Sequence, residues 1–395
     1  MQRPPSAAPA RDPSSPAPAR DGGLDRLDQC LVDALQIRPR APWTELAPVL
    51  GADAVALARR WRRLVSDGRA WVTAHPHPEF VCAANGGIAL VEITAERRAA
   101  EGLAARLAHD AAAVSVDVAT GGRDLLVTVM TARLEELLHY VQHRFAALPG
   151  VVSTRTHVVT AVYADGGGWR LRALDATQRG RLTASAPTQP VSQPVPYGQA
   201  RVAEPGPGDA DLVRALGVDG RATHTDLAAR TGTSATTVAR RMQRLVASGT
   251  VRLRCEVAQP ESGRPVGVTL WLRVPPARLA SVARELAVHP DVRMCAAVAG
   301  TANLVLRLWL PGVAEIPAFE AELLDRFRGV DVVERALTLR PVKRLGRLLD
   351  GRGRAEAAVP MDLWGGAEPG TPPDVWGARV PRGPGPHSPA PPLGG

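Results

Sequence analysis

The chain has 395 residues, enough for two or more domains that each bury a core, and it carries a formal net charge of +9. A basic surface suits a polyanionic partner, but Lys343 is the only lysine and Ala, Gly and Pro are abundant, a bias that GC-rich coding also explains, so where the arginines cluster matters more than their number. Cys30, Cys82, Cys255 and Cys295 form no C-x-x-C pair and no apolar run reaches spanning length, which argues against a clustered zinc site, a disulfide framework and membrane contact, and leads to the expectation of a soluble cytoplasmic protein.

In chain order, residues 1–22 are rich in Pro, Ala and Ser and read as a disordered tail. Residues 24–72 carry a helical pattern with Pro48 inside its second helix, and "HPHP" (His75 to Pro78) reads as a rigid connector. Residues 80–163 then show strand Ile88 to Ile93, helix Glu96 to His109, strands Ala113 to Val118 and Asp124 to Met130, helix Leu134 to Ala147 and strand Val151 to Tyr163. Residues 176–208 read as a linker.

The second half repeats this order. Helices are expected at Asp209 to Leu216, Thr225 to Arg230 and Ala235 to Ser248, within a domain spanning 209–258. Over 264–345 the pattern is strand Val266 to Val274, helix Pro276 to Val288, strands Val292 to Val298 and Asn303 to Leu310, helix Val313 to Phe327 and strand Val330 to Leu339. Residues 351–395 read as a second tail. "GADAVALARRWRRLVSDG" (Gly51 to Gly68) aligns with "GTSATTVARRMQRLVASG" (Gly232 to Gly249) at nine identities in eighteen positions, so the halves are a duplication. The fold class expected is α+β: two copies of a winged helix-turn-helix, each followed by a ferredoxin-like β-α-β-β-α-β sandwich.

The last helix of each trihelical unit carries the chemistry. Ser234 is the expected N-cap and Gly249 the stop; Val238, Met242, Leu245 and Val246 form one apolar face. Thr236, Thr237, Arg240, Gln243 and Arg244 fall on the other side, residue types that read base edges in a major groove, with Arg241 on the flank, where an ion pair with Asp209 or Asp211 competes with DNA contact. The first copy keeps Arg59, Arg60 and Arg63 and has Arg62 in place of Gln243, but puts Val55 and Ala56 where the threonines stand. It retains phosphate-binding charge and loses base-edge chemistry, so the second copy is expected to be the more selective reader of double-stranded DNA.

On the segments "LDRLDQCLVDAL", "RAPWTELAPVLGADAVALARRWRRLVSDG", "DADLVRAL" and "RATHTDLAARTGTSATTVARRMQRLVASGTV", the chain resembles the leucine-responsive/asparagine-regulator (Lrp/AsnC) family of transcription factors. That resemblance implies sequence-specific regulation of transcription, modulation by a small molecule such as an amino acid, and homo-oligomers built through the sandwich sheets. It also implies a G-x-x-D type effector turn: Gly121, Gly122 and Asp124 match in the first half, while the second has Gly300 but Asn303 in the Asp position. A plain hairpin needing glycine is the competing reading of both turns. Two copies in one chain suggest an intramolecular pseudo-dimer with two unequal readers.

His139 and His143, with Glu135 one turn earlier, lack the H-E-x-x-H pattern, so no metal is expected; no cofactor motif and no catalytic constellation is visible either. The chain is read as a non-enzyme. The competing readings are a sirohaem decarboxylase-like enzyme of related architecture and a low-specificity architectural DNA binder.

Overall fold

The computed structural model describes residues 23–184, 205–206 and 208–364. The first half contains α1 (Arg26–Ile37), α2 (Trp43–Leu50), α3 (Ala54–Ser66), β1 (Ala70–Pro76), α4 (Pro78–Ala83), β2 (Gly87–Ala95), α5 (Ala100–Ala108), β3 (Ala113–Ala119), β4 (Leu125–Thr131), α6 (Leu134–His139), β5 (Val151–Ala164) and α7 (Ala176–Ala184). The second contains α8 (Asp209–Val218), α9 (His224–Thr231), α10 (Ala235–Ala247), β6 (Val251–Val257), β7 (Val266–Arg273), α11 (Leu279–Ala287), β8 (Val292–Ala299), β9 (Leu304–Leu310), α12 (Glu315–Arg326), β10 (Asp331–Arg344), β11 (Arg347–Leu349) and β12 (Ala355–Ala358). Both halves thus have the expected element order.

Boundaries shift where tertiary contacts intervene. Arg98 at φ +69 delays α5 to Ala100. After His139 the helix widens into a π-helical turn, Tyr140–Arg144, in which the Tyr140 hydroxyl and the Arg144 guanidinium both reach the Asp110 carboxylate, at 2.8 and 2.7 Å. The expected linker 176–208 and tail 351–395 are corrected at their inner ends. α7 is helical because Leu182 inserts into the core of the first helix-turn-helix unit and Gln178 donates to the Val49 carbonyl at 3.0 Å. Residues 351–364 are held by β12 pairing on β11 and by burial of Val359, Met361 and Leu363. The remainder of the linker and tails falls outside the described residues.

The two four-stranded sheets do not stay separate. The first runs β3-β4-β2-β5 and the second β8-β9-β7-β10, and all their neighbours pair antiparallel. β5 of the first half pairs with β8 of the second, and β10 of the second pairs with β3 of the first, which closes the set into a barrel. Every edge strand of one half is therefore completed by an edge strand of the other. The helices lie outside, with α5 and α6 over Val91, Ile93 and Val127, and α11 and α12 over Leu270, Leu304 and Leu306. A third core lies between the sheets, joining Ile88, Leu90, Val114 and Val159 to Trp271, Ala296 and Val305.

The helix-turn-helix units are coupled in the same way. β1 and β6, which leave the two trihelical units, pair antiparallel from Ala70 opposite Val257 to Pro76 opposite Val251. Arg40, in the α1–α2 connection, donates to the carbonyls of Gly220 and Ala222 at 2.6 and 2.9 Å. Arg221, in the α8–α9 connection, returns the contact to Pro39 and Ala41 at 2.6 and 3.0 Å and stacks 4.0 Å from the Trp43 ring. This is a two-fold clasp built inside one chain, the isologous contact of a symmetric dimer. Arg221→Ala is expected to lower stability by about 2 kcal/mol, the scale of hydrogen bonds to a charged group. Arg221→Lys should recover less than half, because an ammonium lacks the planar guanidinium that meets both carbonyls while stacking on the Trp43 ring. Urea denaturation of both variants checks this; full rescue by lysine would show that charge alone matters.

Candidate nucleic-acid interface

The turn before each reading helix is the same in both copies. Gly51 and Gly232 each take φ +63 and cap α2 and α9, a left-handed conformation that a side chain would strain. α3 and α10 then start on side-chain caps. Asp53 accepts from the amides of Val55 and Ala56 at 2.8 and 3.1 Å, and Ser234 accepts from that of Thr237 at 3.2 Å. Val238 and Leu245 are buried, as are Leu57, Trp61 and Leu64, so both helices present the opposite face outward.

On α10, Thr236, Arg240 and Gln243 are exposed, and Arg240 and Gln243 make no protein hydrogen bond or ion pair among the described residues. Ser234 and Thr237 are partly committed to the cap, their hydroxyls 2.9 Å apart. On α3, Arg59 and Arg62 are exposed and make no ion pair among the described residues, Arg62 having only a long contact to the Ala58 carbonyl.

The other four arginines are turned towards acids of the first helix of their unit. Arg60 reaches Asp25 and Asp28 at 2.5 and 2.9 Å, and Arg63 reaches Asp28 at 3.0 Å. In the second unit Arg244 holds the buried Asp209 at 2.5 Å, while Arg241 stands 4.0 Å from it. The sequence pattern offered Arg241 an ion pair with Asp209 or Asp211 as the competitor to DNA contact; Arg241 does pair with Asp209, and Arg244, placed on the exposed face, makes the closer contact. Which rung meets the acid depends on the crossing of α8 over α10, which spacing along one helix does not carry. Arg63 and Arg244 keep half or more of their side chains in solvent, 51% and 59%, so a brace to the protein does not bar them from a phosphate.

The glycine turns of the sandwich domains have internal partners. Asp124 accepts from the Ala95 amide at 2.7 Å, and Asn303 satisfies both the amide and the carbonyl of Val274, at 2.8 and 2.7 Å. Gly121 at φ +95 and Gly300 at φ +154 supply the turns, and the Gly122 carbonyl accepts from Thr94. Each acid or amide ties its hairpin to the end of a central strand, the work expected of a plain hairpin. Between them lies a residue the sequence pattern does not single out. Arg123 is buried, bridges Glu92 at 3.0 Å and Glu334 of the other half, and stacks 4.2 Å from Trp271. His157 adds a 2.7 Å contact to Glu92. Burial raises the Glu92 carboxyl, and the His157 hydrogen bond with the Arg123 charge more than offsets that and holds it low.

His139 and His143 stack on each other at 4.3 Å, and no group of three metal-ligating side chains occurs among the described residues. The four cysteines are buried and free. No helix among the described residues is long and apolar enough to cross a membrane.

A doubled reading unit on a doubled sandwich defines the class of fold. Residues 24–65 and 208–246 match the AsnC-type helix-turn-helix domain, and residues 88–169 and 267–348 match the Lrp/AsnC ligand binding domain. The chain belongs to the Lrp/AsnC family, as a tandem duplication of its two domains. Among its relatives are uncharacterised HTH-type transcriptional regulators of Pyrococcus horikoshii and Pyrococcus abyssi, 26% and 25% identical over 139 residues, which is 35% of this chain and 87% of each relative. Among solved structures, the siroheme decarboxylase NirDL in complex with an iron-uroporphyrin III analogue superposes at TM-score 0.50 and 14% identity over 81% of this chain and 92% of its own. An AsnC family transcriptional regulator from Agrobacterium tumefaciens superposes at TM-score 0.33 and 22% identity over 36% of this chain and 95% of its own.

Two outcomes are expected from this geometry. Asp209→Ala strips the acid that Arg244 and Arg241 face; because Arg244 is left in solvent, the second reading unit is expected to lose only about 1–2 kcal/mol, with Asp211→Ala as the near-neutral control, read by denaturation. The second concerns the "HPHP" connector, which forms the end of β1 and the cap of α4, His77 accepting from the Glu79 amide at 3.2 Å. Burial holds His75 down to about 4 and His77 to about 3; Arg254 adds to the former, Arg252 to both, and Asp165 opposes. Unfolded histidines titrate near 6.5, so the unfolded chain binds more protons below that value. Stability should therefore be full above about pH 6.5 and fall towards pH 4, by at most about 1.4 kcal/mol per unit for each histidine. Urea midpoints across that range, compared with His75→Gln, check the slope; an unchanged slope would assign it elsewhere.

Proposed function

We propose that this protein is a sequence-specific double-stranded DNA-binding transcriptional regulator, modulated by a small molecule such as an amino acid, in which one chain supplies both halves of the reader. The observation that carries this reading is the pairing of two capped helices with free polar faces, Thr236, Arg240 and Gln243 on one and Arg59 and Arg62 on the other, in a single clasped body. Thr, Arg and Gln suit base edges, and the arginine-only face suits phosphates. Arg60, Arg63, Arg241 and Arg244 brace the helices, with Arg63 and Arg244 also reaching the backbone of the duplex. Ser234 and Thr237 offer their remaining hydroxyl capacity at the helix N-terminus. The effector turns, Gly121, Gly122 and Asp124 with Gly300 and Asn303, stand as the family-implied ligand positions. A cytoplasmic location and further association of whole chains belong to the same reading, and sedimentation measures the latter.

Arg240→Ala is expected to lose discrimination between operator and random DNA, and Arg59→Ala to lose affinity for both about equally, with a shallower salt dependence. Operators should be asymmetric. Footprints that are perfect palindromes with equal half-site protection would sink the unequal-reader model, and equal loss of discrimination in the two variants would do the same. Uniform affinity for all duplexes at every salt concentration would instead favour the architectural binder.

A second reading has an observation of its own: the tandem architecture superposes on a siroheme decarboxylase over most of both chains. That likeness is one of fold. Titration with sirohaem, followed by visible absorbance and product analysis, separates the two; turnover would replace the regulator reading.

A further inference from the structure

The interior of the barrel contains a cavity of about 120 Å³, room for roughly eight to twelve water-sized bodies. Part of its lining is apolar, with Ile88, Leu90 and Met130, and the rest is crowded with guanidiniums. Arg254 and Arg293 share the one carboxylate of Glu256, Arg293 at 2.9 Å. Arg307 holds Asp117, and Asp165 is taken by Arg252 at 2.9 Å. Arg344 has no carboxylate partner among the described residues: it donates to the Gln259 amide oxygen at 3.2 Å and lies 4.8 Å from the Trp309 ring, and its buried Nη1 meets no acceptor. Four guanidiniums, Arg254, Arg293, Arg307 and Arg344, thus line the cavity with two carboxylates, Asp117 and Asp165, and adding the adjoining Arg252 and Glu256 leaves the same excess of two positive charges among mostly buried side chains. An uncompensated charge at such a depth is costly unless a ligand supplies the counter-charge.

The excess is specific to this chain's second half. In the sheet register Arg307 sits opposite Thr269 and Trp309 opposite Gly267, where the first half sets Thr128 opposite Leu90 and Met130 opposite Ile88. The duplicated positions therefore hold threonine and methionine on one side of the cavity and arginine and tryptophan on the other. Trp309 also carries Arg293, 4.0 Å from its ring centre. Burial pushes Arg293 down to about 9, still cationic at neutral pH. Asp165 lines the same cavity with one carboxylate oxygen buried and unpartnered, an acceptor waiting for a donor.

We propose that this cavity is a binding site for a small organic dicarboxylate of about four or five carbons. Its carboxylates neutralise the excess charge on Arg344, Arg293 and Arg254, and a hydroxyl on its carbon chain donates to Asp165. Arg254 and Glu256 belong to β6, the strand that comes after the reading helix α10, whereas Arg293, Arg307 and Arg344 belong to the barrel. The ligand therefore ties the barrel to the ribbon beneath the readers. This deepens the regulator reading by naming an effector class, and only its consequence for DNA rests on that reading.

The test uses the full chain, titrated with succinate, malate and glutarate, with inorganic phosphate and with sirohaem, by calorimetry and thermal shift, in wild type and Arg344→Met. Saturable binding of dicarboxylates is expected, malate ahead of succinate. Arg344→Met should weaken it at least about tenfold, the loss of one charge-assisted hydrogen bond. The same variant should raise the melting temperature of the ligand-free protein, since an unpaired buried charge is gone, so lost binding cannot be put down to misfolding. The proposal is overturned by no dicarboxylate binding, by equal binding in Arg344→Met, by binding of phosphate alone, or by sirohaem binding that depends on Arg344 without any dicarboxylate response. Adding operator DNA separates the two readings. Dicarboxylate binding without DNA binding upholds the site and removes the regulator, and operator binding without a dicarboxylate response does the reverse. If both bind, each should shift the other's affinity by the same factor.

Discussion

A four-stranded sheet has two edges, and each edge strand carries a row of unpaired N–H and C=O groups that must find partners, be covered, or face water. In this chain the edges of one half are completed by the edges of the other: β5 on β8 and β3 on β10. That one requirement shapes most of the molecule. It makes the two halves a single body, it places a third apolar core between the sheets, and it encloses a space that neither half would enclose alone. β1 on β6 repeats the solution between the two helix-turn-helix units.

Once the halves are locked, the reading helices inherit a fixed relation. The reciprocal donation of Arg40 and Arg221 across the pseudo-two-fold is directional and short, so it resists sliding in a way that apolar packing alone does not. Each helix is further braced by acids from the first helix of its own unit, Asp25 and Asp28 on one side and Asp209 on the other. What differs between the two readers is therefore surface chemistry on a nearly common frame. Val55, 72% exposed, stands where α10 presents Thr236, and an exposed valine offers a duplex only a methyl contact.

The same frame lets duplicated positions drift apart inside the barrel. The second half places Arg293, Arg307 and Trp309 in the cavity near the ribbon that follows α10, while the first half has Val114, Thr128 and Met130 at the duplicated positions and supplies the lining carboxylates Asp117 and Asp165. A homodimer of identical chains could not divide these roles, because each change would appear twice. Duplication within one chain removes that restriction for the readers and for the cavity alike.

Much of this was legible in the residues themselves. The repeat, the order of strands and helices, the glycine turns and the caps at Asp53 and Ser234 are local signals, each set by backbone sterics or by hydrogen bonds a few residues long. Legible too were the apolar faces of α3 and α10, and hence the side on which Thr236, Arg240 and Gln243 stand. Contacts between segments far apart in sequence were not. Leu182 reads as part of a linker until the core it enters is known, and nothing local to Arg40, Arg123 or Arg221 marks the contacts each makes with the other half. In "VRLRCEV" the alternation of Arg252, Arg254 and Glu256 with apolar residues marks a strand with one polar face. Periodicity says that the two faces differ. Only the tertiary structure, which pairs β6 with β1 across the duplication and sets Arg254 and Glu256 of that ribbon against Asp165 and Arg293 at the end of the barrel, turned the polar face inward and made it the rim of a charged cavity.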